Sequence, residues 1–328
     1  MIDVHAHWIP AHCFEVPGGV TLRVRDGEVF YGDVPLQLSA GDLTDPEVLL
    51  EQAAARGFTA SVVSAPPISF ALGSDSAAVE YCARYNESLG ALTRNAGGRV
   101  VALGNLPLGL PGEALAMLDE LASRGEFAGI AIPPMLGRLR LDQDPMRSIL
   151  RGASRLGMCV LVHPMQLPGP GLGHHYMQNL LGNPVETAAA IGAVLLGGVL
   201  DELPDLRICF VHGGGAAPAL LGRWDHGWRA RADVRGDLTD LPSQAFRRLY
   251  LDTLVHGVDQ LRLLTAVASD AHLIAGSDHP FDMGDRDPAF HLREAGLDPG
   301  GLRAGALNFL GERGAAWIND QKGPIDHG

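Results

Sequence analysis

Short runs of apolar, often β-branched residues recur along the 328-residue chain, and most are separated by stretches with helical spacing of their apolar positions. The runs fall at 1–7, 60–65, 100–106, 127–132, 158–163, 206–212, 249–253 and 273–277. They are continuous rather than alternating, which predicts strands buried on both faces, as in a parallel sheet. Between them, helices are predicted over 46–56, 75–95, 113–124, 145–156, 184–203, 218–232 and 258–267. The first of these opens with Asp45 in the N-cap place and Pro46 at the first helical position. Eight strands alternating with helices predict an α/β fold, a TIM-like (β/α)8 barrel, in preference to an open doubly wound sheet.

One segment departs from this rhythm. Residues 17–38 alternate polar and apolar about Asp26-Gly27, which predicts a small β-hairpin inserted after the first strand. No repeat or low-complexity tract divides the chain, so 1–318 is expected to be a single barrel domain. The polar stretch 319–328 is expected to be a flexible C-terminal tail.

Composition adds further constraints. Apolar residues make up 46% of the chain and charged residues only 19%, enough for a large core. The formal net charge of −13 disfavours nucleic acid and anionic membrane as partners, because a phosphate surface demands a basic face. The longest weakly polar run, 187–200, is too short and too rich in glycine and alanine to span a bilayer. The chain starts without a basic, then apolar, leader, so a cytoplasmic location is expected. Cys13, Cys82, Cys159 and Cys209 are scattered with no CxxC pair, and read as inert buried thiols.

The candidate chemistry lies at the ends of the predicted strands. His5 and His7 end the first and, two residues apart, point to one face. His163 ends the fifth, His212 ends the sixth and Asp278 follows the eighth. In barrels of this type the working residues sit at the C-terminal strand ends, and a charge there is costly unless paired or metal-bound. Imidazoles with one carboxylate suit a single divalent ion, Zn2+ before Mn2+ or Fe2+. A second ion bridged by a carboxylated lysine is not expected. The only lysine is Lys322, and the fourth strand reads Gly129-Ile130-Ala131-Ile132 with no ligand. His212 is either a further ligand or a general acid/base beside the metal. The glycines at 213–215 would let backbone approach a ligand closely. Asp252, in the seventh strand, reads as a supporting partner rather than a ligand.

These motifs resemble the amidohydrolase superfamily, in the branch of aminocarboxymuconate-semialdehyde decarboxylase and its relatives. The resemblance is carried by IDVHAH at 2–7, by 44–67, by LVHP at 161–164, by the long block 181–215 ending in HGGG, by LLGRWDHGW at 220–228, by 249–256 and by AGSDHPF at 275–281. It implies a barrel with one metal ion, often as a homodimer. It implies metal ligation by His5, His7, His163 and Asp278, and His212 as the catalytic acid/base. It also implies contact of Arg223 with a substrate carboxylate, sometimes across the dimer. Three departures stand out: no arginine or tryptophan in 38–44, Met165 where a tryptophan follows the VHP motif, and His279 in place of a tyrosine. They point to a more neutral or singly charged substrate.

Other residues are candidates for the substrate wall. Tyr176, with His174 and His175, lies in a Gly/Pro-rich loop after the fifth strand. Phe281 could stack on a ring, and His256 follows the seventh strand. The expected activity is nonoxidative decarboxylation of a small unsaturated or aromatic carboxylic acid, with Asp278 sharing proton handling with His212. The alternative is a hydrolase or hydratase acting on an amide, a lactone or an activated double bond at the same mononuclear site.

Overall fold

The computed structural model describes residues 1–166, 169 and 171–320. Eight strands form one parallel sheet: β1 (Ile2–His7), β2 (Ala60–Ser64), β3 (Val100–Gly104), β4 (Phe127–Ile132), β5 (Cys159–Val162), β6 (Ile208–Phe210), β7 (Tyr250–Asp252) and β8 (Leu273–Ile274). Each pairs with its sequence neighbour. The sheet then closes on itself: Val4 N–H donates to the Ala275 carbonyl at 2.9 Å and His7 N–H to the His279 carbonyl at 2.8 Å. All residues of every barrel strand are buried, which explains why the strands read as unbroken apolar runs. All eight lie where the sequence pattern puts them.

Helices α1 (Pro46–Ala55), α2 (Ser76–Asn95), α3 (Pro111–Ser123), α4 (Met146–Arg155), α5 (Asn183–Leu196), α6 (Ala217–Ala230), α7 (Val258–Val267) and α8 (Pro299–Asp320) surround the sheet. Asp45 caps α1, its carboxylate accepting from the Glu47 N–H at 2.9 Å. The stretch Gln178–Leu196 is long and apolar enough to cross a membrane by length and composition, yet it packs as a barrel helix with 44% of its span buried. The sequence pattern did not predict α8, whose glycines interrupt the apolar spacing. The structure shows their use: a Cβ on Gly305 would lie 2.5 Å from the Leu273 carbonyl, so α8 presses directly on the β8 backbone. At Gly311 the helix breaks, with φ of 67°.

The insertion after β1 has more structure than a hairpin. Leu22–Arg25, Glu28–Tyr31 and Val34–Ser39 form a three-stranded antiparallel sheet. Asp26 (φ 51°) and Gly27 (φ 83°) make the first turn, and Gly32 (φ 63°) adds a second two-residue turn. Asn319 and Asp320 of the expected tail belong to α8, and the rest of it lies outside the described residues. The four cysteines are free and buried. Burial pushes the Cys159 thiol up to about 12, so it stays protonated and inert.

Candidate active site and metal centre

His5 and His7 lie on β1, His163 directly follows β5, and Asp278 lies just beyond β8. One ligand atom from each falls within 4.8 Å of all the others. The Asp278 Oδ1 is 3.3 Å from His5 Nε2, 3.2 Å from His7 Nε2 and 3.7 Å from His163 Nε2. All four atoms are buried and none has a hydrogen-bond partner. Buried polar atoms are almost always satisfied, so four that converge on one point mark a site fit to hold an ion.

The other ring nitrogens of His5 and His163 fix their tautomers. His163 Nδ1 donates to the Pro164 carbonyl at 2.7 Å, which leaves Nε2 with a lone pair. His5 Nδ1 donates to the Asp252 Oδ2 at 2.7 Å, with the same result. His7 Nδ1 lies 3.1 Å from the Ser64 hydroxyl. Each imidazole is thus held to present Nε2 to the centre.

Charge balance agrees. Burial would raise both carboxyls. Instead, the neighbouring His5 and the hydrogen bonds around it hold Asp252 below the usual carboxylate range, and Asp278 well below it. Burial alone would push His5 down, but those two carboxylates push it up to about 10. Without metal a proton takes the cation's place. A divalent ion with neutral imidazoles balances two buried carboxylates. The donor set, three Nε2 atoms and one carboxylate oxygen, fits a single divalent metal site.

His212 stands beside this cluster. Its Nε2 is 3.4 Å from the other Asp278 oxygen, Oδ2. It is half-buried, and its ring centroid is 5.1 Å from that of His5. His212 and Asp278 both have left-handed backbone, with φ of 57° and 56°. Such conformations cost of order 1 kcal/mol and gather at functional sites. The glycines after His212 serve this backbone: Gly213, Gly214 and Gly215 all have positive φ, and a Cβ on Gly215 would lie 2.4 Å from the Pro184 carbonyl.

A cavity of about 400 Å3 opens from His212 and Asp278. Leu254, Val255, Leu263, Leu264 and Met283 contribute to its largely apolar wall, with His256 and Gln260 among the polar groups. No arginine or lysine lines it among the described residues.

The remaining candidates are dispersed. Phe281 approaches the cluster, its ring centroid 5.6 Å from that of His7 at 63°. Met165 is partly buried after β5, and its N–H donates to the Glu186 carboxylate at 3.2 Å. Tyr176 is exposed; partial desolvation and the Asp282 carboxylate push its hydroxyl up. His279 is buried and turned to Arg56, whose Nη1 donates to its Nδ1 at 3.1 Å. Burial and that guanidinium hold His279 down to about 4. Arg223 is exposed on α6, one turn beyond the cavity-lining Ala219. Sequence reasoning missed Leu254, Val255, Gln260, Leu263, Leu264 and Met283. The usable signal was His256 and Gln260, four residues apart across the start of α7.

A closed parallel barrel with a His3Asp centre at its C-terminal strand ends defines a metal-dependent barrel enzyme. The amidohydrolase family model matches residues 2–306, and the chain belongs to that family. It is 28% identical to the 2-amino-3-carboxymuconate-6-semialdehyde decarboxylase of Dictyostelium discoideum over 247 residues, 74% of this chain and 69% of that one. The structure is similar to that of the IDCase of Metarhizium anisopliae in apo form, with a TM-score of 0.81, 21% identity, and coverage of 94% of this chain and 96% of that one. It is also similar to that of a manganese-bound point mutant of a 5-carboxyvanillate decarboxylase from Novosphingobium aromaticivorans. There the TM-score is 0.74 at 17% identity, covering 97% of this chain and 96% of that one. The resemblance drawn from the sequence motifs and the barrel prediction are both borne out.

Proposed function

We propose that the protein is a metal-dependent nonoxidative decarboxylase of a small unsaturated or aromatic carboxylic acid, working as a single barrel domain over 1–318. The observation that carries this is the junction at Asp278: four unsatisfied ligand atoms on one side, His212 and an apolar cavity on the other. A divalent ion held by His5, His7, His163 and Asp278 supplies Lewis acidity toward the substrate's carboxylate or an adjacent hydroxyl. Zn2+ is proposed, with Mn2+ or Fe2+ also suited to the donor set. His212, beside Asp278 Oδ2, holds the proton that is delivered to the carbon bearing the carboxylate. The C–C bond then breaks, its electron pair stays with that carbon, and CO2 leaves.

The apolar wall suits the ring or unsaturated chain, and Phe281, beside His7, together with Met165 and Tyr176 after β5, is proposed to contact the substrate. His279, engaged with Arg56, is proposed only to shape the wall behind Asp278. Because Arg223 does not line the cavity of its own chain, its contact with a substrate carboxylate is proposed to be made across a homodimer. A cytoplasmic, membrane-free location belongs to the same reading. Two of the relatives named above are decarboxylases, so the hydrolase or hydratase alternative is not favoured.

The test is to load the protein with metal and follow CO2 release over a panel of aromatic and unsaturated acids, beside His212→Ala. The parent should release CO2 with about one ion per chain. The variant should keep its metal and lose about 10^2- to 10^4-fold in kcat. Hydrolysis or hydration without CO2 would overturn the reaction, and loss of metal in His212→Ala would make His212 a ligand.

A further inference from the structure

We propose that Asp252 is a positioning residue that locks the His5 tautomer for metal binding and, through the same carboxylate, sets the backbone that carries His212. The inference rests on the metal site of the reading above. Asp252 ends β7 and is fully buried. Its Oδ2 accepts from His5 Nδ1 at 2.7 Å. Its Oδ1 accepts from the Gly213 N–H at 2.9 Å and from the Leu254 N–H at 3.3 Å. One side chain thus joins a metal ligand on β1, the residue directly after His212, and a residue of the cavity wall.

The surroundings leave it no slack. A Cβ on Gly276 would lie 3.0 Å from both the Asp252 Cβ and Oδ2, and 2.9 Å from the His5 Cβ, so the chain beyond β8 presses on both residues. A Cβ on Gly213 would lie 2.3 Å from Val255 Cγ1, so the loop after His212 is packed equally tightly. Gly213 has φ of 60°, directly following His212 at 57°. A hydrogen bond at that N–H therefore holds two consecutive left-handed residues in place.

All three groups that face the Asp252 oxygens are donors, which makes the site specific for a carboxylate. An asparagine of the same shape cannot satisfy it. If its oxygen faces Gly213 and Leu254, its NH2 faces His5 Nδ1 and donates. That moves the His5 proton to Nε2, the atom that must bind metal. If the amide is flipped, its NH2 confronts two backbone N–H groups, and the hold on the His212 loop is lost. Either orientation damages one of the two functions.

The experiment uses the full chain. Metal affinity of parent and Asp252→Asn is measured by competition with a chromophoric chelator, without substrate. Then kcat, KM and the pH profile are measured at saturating metal. The proposal expects a 10- to 100-fold loss of metal affinity. It also expects a fall in kcat with little change in KM, and a displaced pH profile, once the site is refilled. Parental metal affinity overturns the tautomer lock. Parental kcat and pH profile at full occupancy overturn the link to His212. Should Asp252→Asn not fold, long-range 1H–15N spectra of the zinc-loaded parent decide the first point. A slowly exchanging proton on His5 Nδ1 is expected, and ligation through Nδ1 overturns the proposal. The affinity and NMR readings need no turnover. A parent that binds metal but releases no CO2 therefore counts against the decarboxylase reading alone.

Discussion

The two oxygens of Asp278 face two different environments. Oδ1 looks into a cluster of three imidazoles, all buried, with no other partner. Oδ2 looks toward the half-buried His212 and the cavity beyond it, whose wall is largely apolar. The first region is built from strand ends, each pinned by parallel pairing and by a hydrogen bond to the rear of its ring. The second is built almost wholly from connections and helix starts: the segment before α5, the glycines after His212, the turn at 254–256 and the first turns of α7. The strand ends fix what chemistry is done, and the connections choose what it is done to, a division the barrel imposes on every site of this kind.

The sharpest way to break this division is to remove the residue both regions share. Asp278→Ala deletes a metal ligand and the partner of His212 together. It should lose bound metal and lower kcat by on the order of 10^3-fold or more, about 4 kcal/mol of barrier. Elemental analysis alongside turnover checks it. An Asp278→Ala protein that keeps its ion and its activity would show that the two regions do not meet there.

The same division explains what could be read from the amino-acid sequence. His5, His7, His163 and Asp278 were legible because each follows a run of apolar residues at a strand end, where a polar side chain has no cheap reason to be. Asp252 was visible as a buried carboxylate, but its three donors come from 5, 213 and 254, and only the folded chain brings them together. The cavity wall was not legible. Leu254, Val255, Leu263 and Leu264 look like ordinary core residues in sequence, and their orientation depends on positive φ at His256 and on how α7 is set down. His279 was visible in its motif, but its hydrogen bond from Arg56 joins positions 223 residues apart, which only the folded chain brings together. Helix α8 was hidden because the glycines that let it touch β8 also erase its apolar periodicity.

A second prediction sharpens the contrast through pH. In the metal-free protein the Asp278 and Asp252 carboxylates hold the His5 pKa at about 10, against an ordinary value of 6.5. A folded-state pKa raised in this way gives stability that is fully present below about 6.5 and is lost as pH rises through 10. His7 and His163 are pushed down by burial, His163 to about 3, so they act at the acid end, where stability falls with falling pH. The chelated protein should therefore lose melting temperature between pH 7 and 10. The metal-loaded protein, with the ion in place of the proton, should lose much less. Parallel melting curves for the two forms across that range would contradict the exchange of proton for ion. No comparable slope is expected from the cavity, whose wall is mostly apolar.

The smallest expected effect tests the cavity alone. Leu263 is 43% exposed on α7 and lines the cavity without touching the ligand cluster. Replacing it with alanine removes apolar surface that is half in water already, so the stability cost should stay under about 1 kcal/mol. What it removes from a bound substrate is contact with the ring or chain, worth about 1 kcal/mol, or roughly fivefold in KM. Metal content and kcat should stay at parental values, because neither the imidazole cluster nor His212 depends on this side chain. The informative comparison is therefore the ratio of the two constants. A rise in KM at constant kcat places Leu263 in substrate binding only. A fall in kcat at constant KM would mean that the cavity wall positions the reacting carbon against His212, and that substrate choice and chemistry are not separable at this end of the barrel.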